Sequence, residues 1–270
     1  MKNIILLGHK GFIGKRLFQD FNTFHNVFTV EHKDIKRLIN KRFILEKKID
    51  YIINCIGIKD KKELFFISNY VLPGYISKKL SEIDPFVNKK ILYIHISSIG
   101  VNNPFETFNL NEIKVDICSK QKINYNPYEF SKAAGDYIVI NNMSKLKNIK
   151  YKIIKPSNII DDKSTFILKL KIFLLLFPFR MPKYATIPIT EISDISKYIS
   201  LIINKKITSS KRSKHLYSNY YLSDFTKLFR FFISAKPALP VRFMKYFIKK
   251  IPNIKFFISF KRLLTLIYFL

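Results

Sequence analysis

The chain of 270 residues is 48% hydrophobic and has only two cysteines, Cys55 and Cys118, which excludes a disordered chain, a disulfide framework and a cysteine-based zinc site. This length is enough for one large domain with a buried core and no disulfide bonds. The formal net charge of +29 would suit a polyanionic partner, but the lysines are scattered along the chain and no nucleic-acid-binding motif accompanies them, which favours a compositional bias.

The first 160 residues alternate short apolar runs with longer mixed segments. The runs are apolar throughout, which is typical of strands covered on both faces, and the mixed segments have helical spacing. Strands that alternate with helices predict an α/β fold built on a parallel sheet. The predicted strands are 3–8, 26–31, 50–57, 90–98 and 150–157, and the predicted helices are 14–22, 63–82 and 127–145.

The pattern changes after about residue 160. Residues 187–204 predict one more strand and a helix capped by Ser193 or Asp194. The remaining residues are rich in aromatic side chains and interrupted by prolines, which indicates a smaller cap region. We therefore predict one domain over residues 1–160, with 185–205 returning to it, and a substrate cap with a C-terminal tail over 161–270.

No segment predicts a membrane span. The apolar stretch Phe166–Phe179 is shorter than the roughly 20 residues that a span needs, contains two lysines and meets Pro178. We expect no signal peptide, because the chain goes directly into a strand, and we expect a cytoplasmic protein. The lysine-rich aromatic tail Phe243–Leu270 favours equally a peripheral contact with an anionic membrane and packing against the core or a second subunit.

Three glycines follow the first predicted strand in the segment LGHKGFIG. Gly8, Gly11 and Gly14 are three of only seven glycines in the chain. A glycine loop between a strand and a helix permits a tight turn, a close backbone approach to a pyrophosphate and tight packing of the helix on the strand. The N-terminus of that helix also offers free N–H groups to an anion. This arrangement predicts a dinucleotide-binding site.

The glycine loop and its context resemble the extended short-chain dehydrogenase/reductase family of nucleotide-sugar epimerases, dehydratases and reductases. The resemblance covers LGHKGFIGKRL, NCIG at 54–57 and SNYVLPGYI around Asn69; it continues to about residue 160 and more loosely to about 205. It implies a Rossmann-like, doubly wound parallel sheet with a small C-terminal substrate-binding cap. The cofactor-binding residues that it implies are Gly8, Lys10, Gly11, Phe12, Ile13, Gly14, Glu31, Gly57, Tyr128 and Lys132.

Tyr128 and Lys132 lie four residues apart on a predicted helix, so they share one helix face. A nearby ammonium favours the phenolate and would let Tyr128 exchange protons near neutral pH. A Y-x-x-x-K pattern by itself also fits a solvated helix face in this chain. The resemblance assigns Tyr128, Lys132 and Ser98, which ends a predicted strand, as the catalytic set.

Asn158 lies in the segment KPSNII, where relatives in the family bind the substrate diphosphate. The resemblance therefore implies a substrate-binding role for Asn158, beside Ser98. The family usually continues with Tyr-Gly, whereas this chain has Ile160 and Asp161, and a simple turn residue is the alternative for Asn158.

Acidic and basic residues near the end of the second strand favour different cofactors. Glu31 ends the second strand, where a carboxylate binds the ribose hydroxyls of NAD and repels the 2′-phosphate of NADP. Lys10, His32 and Lys33 are basic, and basic residues at these places serve NADP in some relatives. NAD is slightly favoured and NADP stays open.

The two residues after Ser98 narrow the choice of reaction. Dehydratases of the family carry an acidic pair there, and this chain has Ile99 and Gly100. The resemblance thus implies an enzyme, a nucleotide-sugar 4-ketoreductase or 4-epimerase of surface-polysaccharide biosynthesis, without a metal. The alternative is a catalytically silent cofactor-sensing or RNA-binding module, which has no need of all three catalytic side chains. The expected partner is a nucleotide sugar and not a nucleic acid, and a homodimer is left open.

Overall fold

A computed structural model describes residues 1–31, 34–58, 64–102, 127–161, 186–205, 213–216 and 218–221. The chain divides into two compact units. The first comprises Met1–Pro156 and Ile192–Leu216, and the second comprises Ser157–Glu191 and Tyr217–Leu270. The apolar stretch 166–179, the tail 243–270, Cys118, His32 and Lys33 lie outside the described residues.

The first unit is built on a six-stranded, entirely parallel sheet. Its strands are β1 (Asn3–Leu7), β2 (Asn26–Val30), β3 (Tyr51–Asn54), β4 (Ile91–Ile96), β5 (Ile149–Pro156) and β8 (Ser213–Leu216). Their order across the sheet is β2-β1-β3-β4-β5-β8. Because β2 and β3 pair with opposite edges of β1, the chain reverses direction across the sheet at the carboxyl end of β1. A ligand crevice forms at such a point in a doubly wound sheet. The predicted Rossmann-like parallel sheet is confirmed.

The helices of the first unit connect these strands. They are α1 (Phe12–Phe21), α2 (Ile35–Leu38), α3 (Lys41–Glu46), α4 (Leu72–Ile83), α5 (Pro127–Met143) and α6 (Ile192–Ile203), with a π-helical turn at Ile67–Val71 and 3₁₀ turns at Asp84–Phe86 and Ile99–Asn102. Helix α1 begins two residues earlier than predicted, at Phe12, because Gly11 has an extended backbone and serves as the N-cap residue. Helix α6 begins at Ile192, so Ser193 and Asp194 lie in its first turn and do not cap it, contrary to the prediction.

The core of the first unit explains why its strands are apolar throughout. Ile4, Ile5, Leu6 and Leu7 of β1 are all fully buried, and every residue of β3 is buried as well. Successive residues of a strand point to opposite faces, so burial of every residue requires a cover on both faces of the sheet.

The second unit contains a small sheet of three strands. They are β6 (Asn158–Ile160), β7 (Thr186–Glu191) and β9 (Ser218–Tyr221). Strand β7 pairs in parallel with β6 and antiparallel with β9. The segment 185–205 is therefore shared, because β7 belongs to the second unit and α6 to the first.

Within the described ranges, no helix combines the length and the apolar character that crossing a bilayer requires.

Candidate functional site

The loop between β1 and α1 requires glycine at two of its three positions. Gly8 has φ of 81°, in the left-handed region that favours glycine. A Cβ on Gly14 would lie 2.1 Å from the Gly8 carbonyl oxygen, a backbone atom that cannot rotate away. A Cβ on Gly11 would lie 3.3 Å from the same oxygen. Gly8 and Gly14 are therefore required by the turn itself, whereas the bare backbone of Gly11 leaves room beside the first turn of α1.

A cleft of about 420 Å³ opens at the carboxyl ends of β1, β2 and β3. Its lining comprises Gly8, His9, Lys10, Gly11, Val30, Glu31, Cys55, Ile56 and Gly57. Five of these are predicted cofactor-binding residues, namely Gly8, Lys10, Gly11, Glu31 and Gly57. Phe12, Ile13 and Gly14 belong to the first turn of α1 and are not among the lining residues in the described part of the chain.

Four lining residues were not predicted from the sequence: His9, Val30, Cys55 and Ile56. Cys55 was predicted inside a strand, but β3 ends at Asn54. The side chain of Asn54 accepts a hydrogen bond from the backbone N–H of Ile56 at 3.0 Å, which turns the chain away from the sheet. The signal available in the sequence is the presence of Asn54 and Gly57 in this run, since Asn and Gly are residues common in turns.

Lys10 and Glu31 form an ion pair at the edge of this cleft. Both side chains are largely exposed. Glu31, which favours NAD, and Lys10, which favours NADP, are thus in direct contact. Each side chain reduces the net charge that the other presents to a bound ligand.

Lys132 reaches the cleft from α5. A Cβ on Gly57, which lines the cleft, would lie 2.6 Å from Lys132 Nζ. The same Nζ donates a hydrogen bond to the carbonyl of Ile96, the last residue of β4, at 3.2 Å. Lys132 is only 4% exposed. Burial lowers its pKa to about 8, although the charge of Asp136 acts in the opposite direction, so the ammonium form predominates at neutral pH.

Tyr128 lies one helical turn before Lys132, in the first turn of α5. Its partly buried ring packs edge-on against Phe65, with 5.8 Å between the ring centroids. Ser98 follows β4 by two residues, so Lys132, which binds Ile96, approaches the strand end that carries Ser98. The structure thus places Lys132 beside the cofactor cleft, beside the Ser98 strand end and one turn from Tyr128.

Asn69 completes the surroundings of Lys132, although no role was predicted for it from the sequence. It is fully buried within the π-helical turn. Its amide binds both backbone polar groups of Ile58, each at 3.2 Å, and donates to the hydroxyl of Ser131 at 3.0 Å. A Cβ on Gly135 would lie 2.0 Å from the Asn69 carbonyl oxygen. Glycine at 135 therefore allows α5 to approach the π-helical turn, a kind of turn frequently found at functional sites.

Asn158 lies in β6 of the second unit. Its side-chain amide donates to the carbonyl of Pro188 in β7 at 3.2 Å. The amide therefore links β6 to β7, and its contact with a substrate stays a prediction.

The ranges that the structure describes contain no group of three or more His, Cys, Asp or Glu side chains that could hold a metal ion.

The fold is similar to solved structures of nucleotide-sugar enzymes. One is a dTDP-4-dehydrorhamnose reductase from Clostridium acetobutylicum, with a TM-score of 0.56 and 16% identity over 90% of this chain and 85% of that one. Another, from Bacillus anthracis in complex with NADP, has a TM-score of 0.56 and 18% identity over 88% and 83%. A UDP-glucuronic acid 4-epimerase from Bacillus cereus in complex with NAD has a TM-score of 0.55 and 15% identity over 92% and 83%. At these identities the similarity shows the fold.

A search of curated protein sequences gave no significant match. The model of a family of NAD-binding domains, described as Male sterility protein, matches residues 55–195, which is more than half of the chain. The match begins at the carboxyl end of β3 and includes Gly57, Ser98, Tyr128 and Lys132, while the glycine loop precedes it. The chain therefore belongs to the male sterility protein family of NAD-binding domains, within the extended short-chain dehydrogenases/reductases.

Proposed function

We propose that the protein is an NAD(P)-dependent enzyme that reduces or epimerises a nucleotide-linked sugar at its fourth carbon, with 4-ketoreductase ranked above 4-epimerase. The observation that carries the proposal is the position of Lys132. Its buried ammonium lies against Gly57 of the cleft and one turn from Tyr128, and it binds the strand end that carries Ser98. Lys132 thus links the cofactor cleft to the end of β4 and lies on the same helix as Tyr128.

The residues present fit a dinucleotide. Gly8 and Gly11 leave the backbone open beside α1, whose N-terminus has no acidic residue in its first turn and no side-chain cap. Free N–H groups at a helix start suit a pyrophosphate, while Lys10 and Glu31 would hold the adenosine ribose and Lys132 the nicotinamide ribose. When bound, the nicotinamide would supply or accept the hydride.

The side chains of this chain would handle the proton. Tyr128 would give or take the proton of the substrate hydroxyl, and the Lys132 ammonium would lower the pKa of that phenol by favouring its charged form. Ser98 would orient the reacting oxygen by a hydrogen bond. Asn158 would bind the sugar nucleotide.

The choice of reaction rests on the residues around Ser98 and on the additional requirements of an epimerase. Elimination of water needs an acid and a base, and Ile99 and Gly100 occupy the positions after Ser98.

An epimerase must hold its cofactor while the keto-sugar rotates, and a reductase must release it in each cycle. The solved structures named as a 4-keto reductase and a 4-epimerase support a nucleotide-sugar substrate, and we place the reaction in surface-polysaccharide biosynthesis.

The test is stoichiometry. The protein is incubated with a nucleotide 4-keto sugar and reduced cofactor, and the nicotinamide absorbance and the sugar products are followed together. One cofactor oxidised per sugar reduced supports the reductase. Sugar interconversion without net cofactor change would reverse our ranking, and cofactor binding without turnover of any nucleotide sugar would overturn the proposal.

We further propose that the tail 243–270 contacts an anionic membrane. The support is the lysine-rich aromatic composition of the tail. Co-sedimentation with anionic vesicles that is unchanged when the last 15 residues are removed would refute the membrane contact.

A further inference from the structure

A buried group of charges lies between α5 and the sheet, apart from the three catalytic residues. Its centre is Asp136 on α5, which is only 4% exposed. One carboxylate oxygen lies 3.3 Å from Lys155 Nζ of β5, and the other lies 3.6 Å from His95 Nε2 of β4. A charged group in such a place needs an opposite charge close by, because it has lost its contact with water.

Asp136 also lies four residues after Lys132 on the same helix. Residues at this spacing lie one above the other on one helix face. Both side chains are almost completely buried. Asp136 therefore shares a helix face with Lys132 and contacts Lys155 of β5.

We propose that Asp136 is a positioning residue: its carboxylate, held in the ionised form by Lys155, supplies the negative charge that keeps the buried Lys132 charged beside Gly57. The part of this inference that concerns catalysis rests on the proposed function, whereas the part that concerns the ionisation of Lys132 does not.

Among the titratable groups around Lys132, Asp136 is the one that we expect to supply a negative charge. The groups that face Lys132 and Asp136 are Cys55 after β3, Tyr93 and His95 on β4, Lys155 on β5 and Tyr128 on α5 itself. Burial raises the pKa of Cys55 to about 12 and raises that of Tyr93, so neither carries a negative charge at neutral pH. Burial, with the charges of Lys132 and Lys155, lowers the pKa of His95 to about 3, so its ring is neutral.

The pKa of Asp136 decides whether the carboxylate can act. Burial raises this pKa, and Lys155, Ser97 and Lys132 oppose the rise. Because Cys55 is neutral, removal of the ionised Asp136 carboxylate leaves the effect of burial on Lys132 unopposed, and the pKa of Lys132 falls below its value of about 8. A nearby opposite charge shifts a pKa by about one unit or more, and one unit is about a tenfold change in the ratio of charged to neutral Lys132.

The experiment titrates Lys132 directly in the full-length, ligand-free protein. Lysine labelled with ¹³C at Cε is followed by NMR against pH, and the Lys132 resonance is identified by its loss in Lys132→Met. We expect the midpoint to fall by about one unit in Asp136→Asn and to return towards wild type in Asp136→Glu. The matched control is Asp194→Asn on α6, an exposed carboxylate beside Lys197, which should leave the midpoint unchanged.

A wild-type measurement keeps the inference falsifiable if Asp136→Asn does not fold. The Cγ resonance of Asp136 reports its ionisation, and a protonated carboxyl at pH 7 would overturn the proposal, as would an unchanged Lys132 midpoint in Asp136→Asn. The pH at which cofactor affinity weakens should fall together with the Lys132 midpoint. If the Lys132 midpoint shifts in Asp136→Asn but the protein binds no cofactor, the proposed function is refuted. The inference about the ionisation of Lys132 would still hold.

Discussion

Gly57 and Lys132 form the contact on which the rest of the site depends. The Lys132 ammonium occupies the space that a side chain at position 57 would need, since a Cβ there would lie 2.6 Å from Nζ. The ammonium is in turn fixed by the carbonyl of Ile96. The Lys132 side chain is therefore already ordered before a ligand binds. Binding then costs less side-chain conformational entropy.

The phenol of Tyr128 should matter for turnover and not for folding. In Tyr128→Phe the ring and its edge-on contact with Phe65 are retained. We expect turnover to fall at least about 100-fold, the scale for loss of a positioned acid, with cofactor affinity unchanged in a fluorescence titration. Tyr137→Phe on the same helix is the control and should keep its activity. Turnover near wild type in Tyr128→Phe would remove the phenol from its role.

The Lys10–Glu31 ion pair should set the preference between NAD and NADP. In Glu31→Gln the carboxylate that repels a 2′-phosphate is lost and Lys10 is released from its pair. One surface charge pair is worth on the order of 1 kcal/mol, so we expect the affinity for NADPH relative to NADH to rise about five- to tenfold. Lys10→Met should shift the ratio in the opposite direction. The measurement is the dissociation constant of each cofactor by fluorescence titration; a ratio that moves in neither variant would assign the choice to other residues.

At the scale of elements, α5 is held close to its neighbours by small and polar residues. Gly135 allows its backbone to approach the carbonyl of Asn69, and Ser131 binds the Asn69 amide. Both contacts lie between Tyr128 and Asp136 on the helix. The helix that carries the proposed proton donor is therefore positioned by the same turn that carries Asn69.

Asp84 joins the end of α4 to the start of β5. Its carboxylate accepts hydrogen bonds from the backbone N–H groups of Lys147, Asn148 and Ile149, at 3.0, 2.8 and 2.6 Å. Burial would raise the pKa of Asp84, but these three donors lower it below its ordinary value. A carboxyl whose pKa is lower in the folded state stabilises the protein above its unfolded pKa, and this stabilisation is lost as the pH falls through the folded value.

We expect Asp84→Asn to lower the free energy of unfolding by about 3 kcal/mol at pH 7, because hydrogen bonds to a charged acceptor are lost. The loss should become smaller as the pH falls from about 4, where the unfolded carboxyl takes up its proton, through the lower pKa of the folded carboxyl. Urea unfolding of both proteins at pH 7 and at a pH below about 4 measures this difference in the free energy of unfolding. The control is Glu82→Gln at an exposed pair with Lys79, whose unfolding midpoint should stay unchanged. An equal loss at both pH values would contradict a role for the charge of Asp84.

At the scale of the whole molecule, the charge balance should destabilise the folded state. The chain has 48 Lys and Arg against 19 Asp and Glu, and self-repulsion of excess charge disfavours a compact state. Raising the salt concentration from about 10 mM to about 150 mM shortens the screening length from about 30 Å to about 8 Å.

We therefore expect the melting temperature to rise by about 2–4 °C over this range of salt, equivalent to about 1 kcal/mol. Calorimetry in sodium chloride, with sucrose of equal osmolality as the control, measures the effect. A melting temperature independent of salt would show that the positive charges are already balanced by local pairs.

The amino-acid sequence was sufficient to predict the parallel sheet, the glycine loop and the pairing of Tyr128 with Lys132 on one helix face. These features depend on local rules, namely the apolar runs of strands buried on both faces, the glycines that the turn requires and the 3.6-residue period of a helix. Local rules also explain the errors, since the predicted strand 50–57 is ended by the side chain of Asn54.

The fold was needed to establish which side chains share the cleft and which charges surround Lys132. Val30, Cys55 and Ile56 line the cleft because the ends of different strands meet there. The contact of Lys10 with Glu31 and that of Asp136 with Lys155 join residues about 20 apart in the sequence. Burial and the distance between charges set the pKa of a side chain, and both depend on segments brought together by the fold, which the spacing of residues along the chain does not specify.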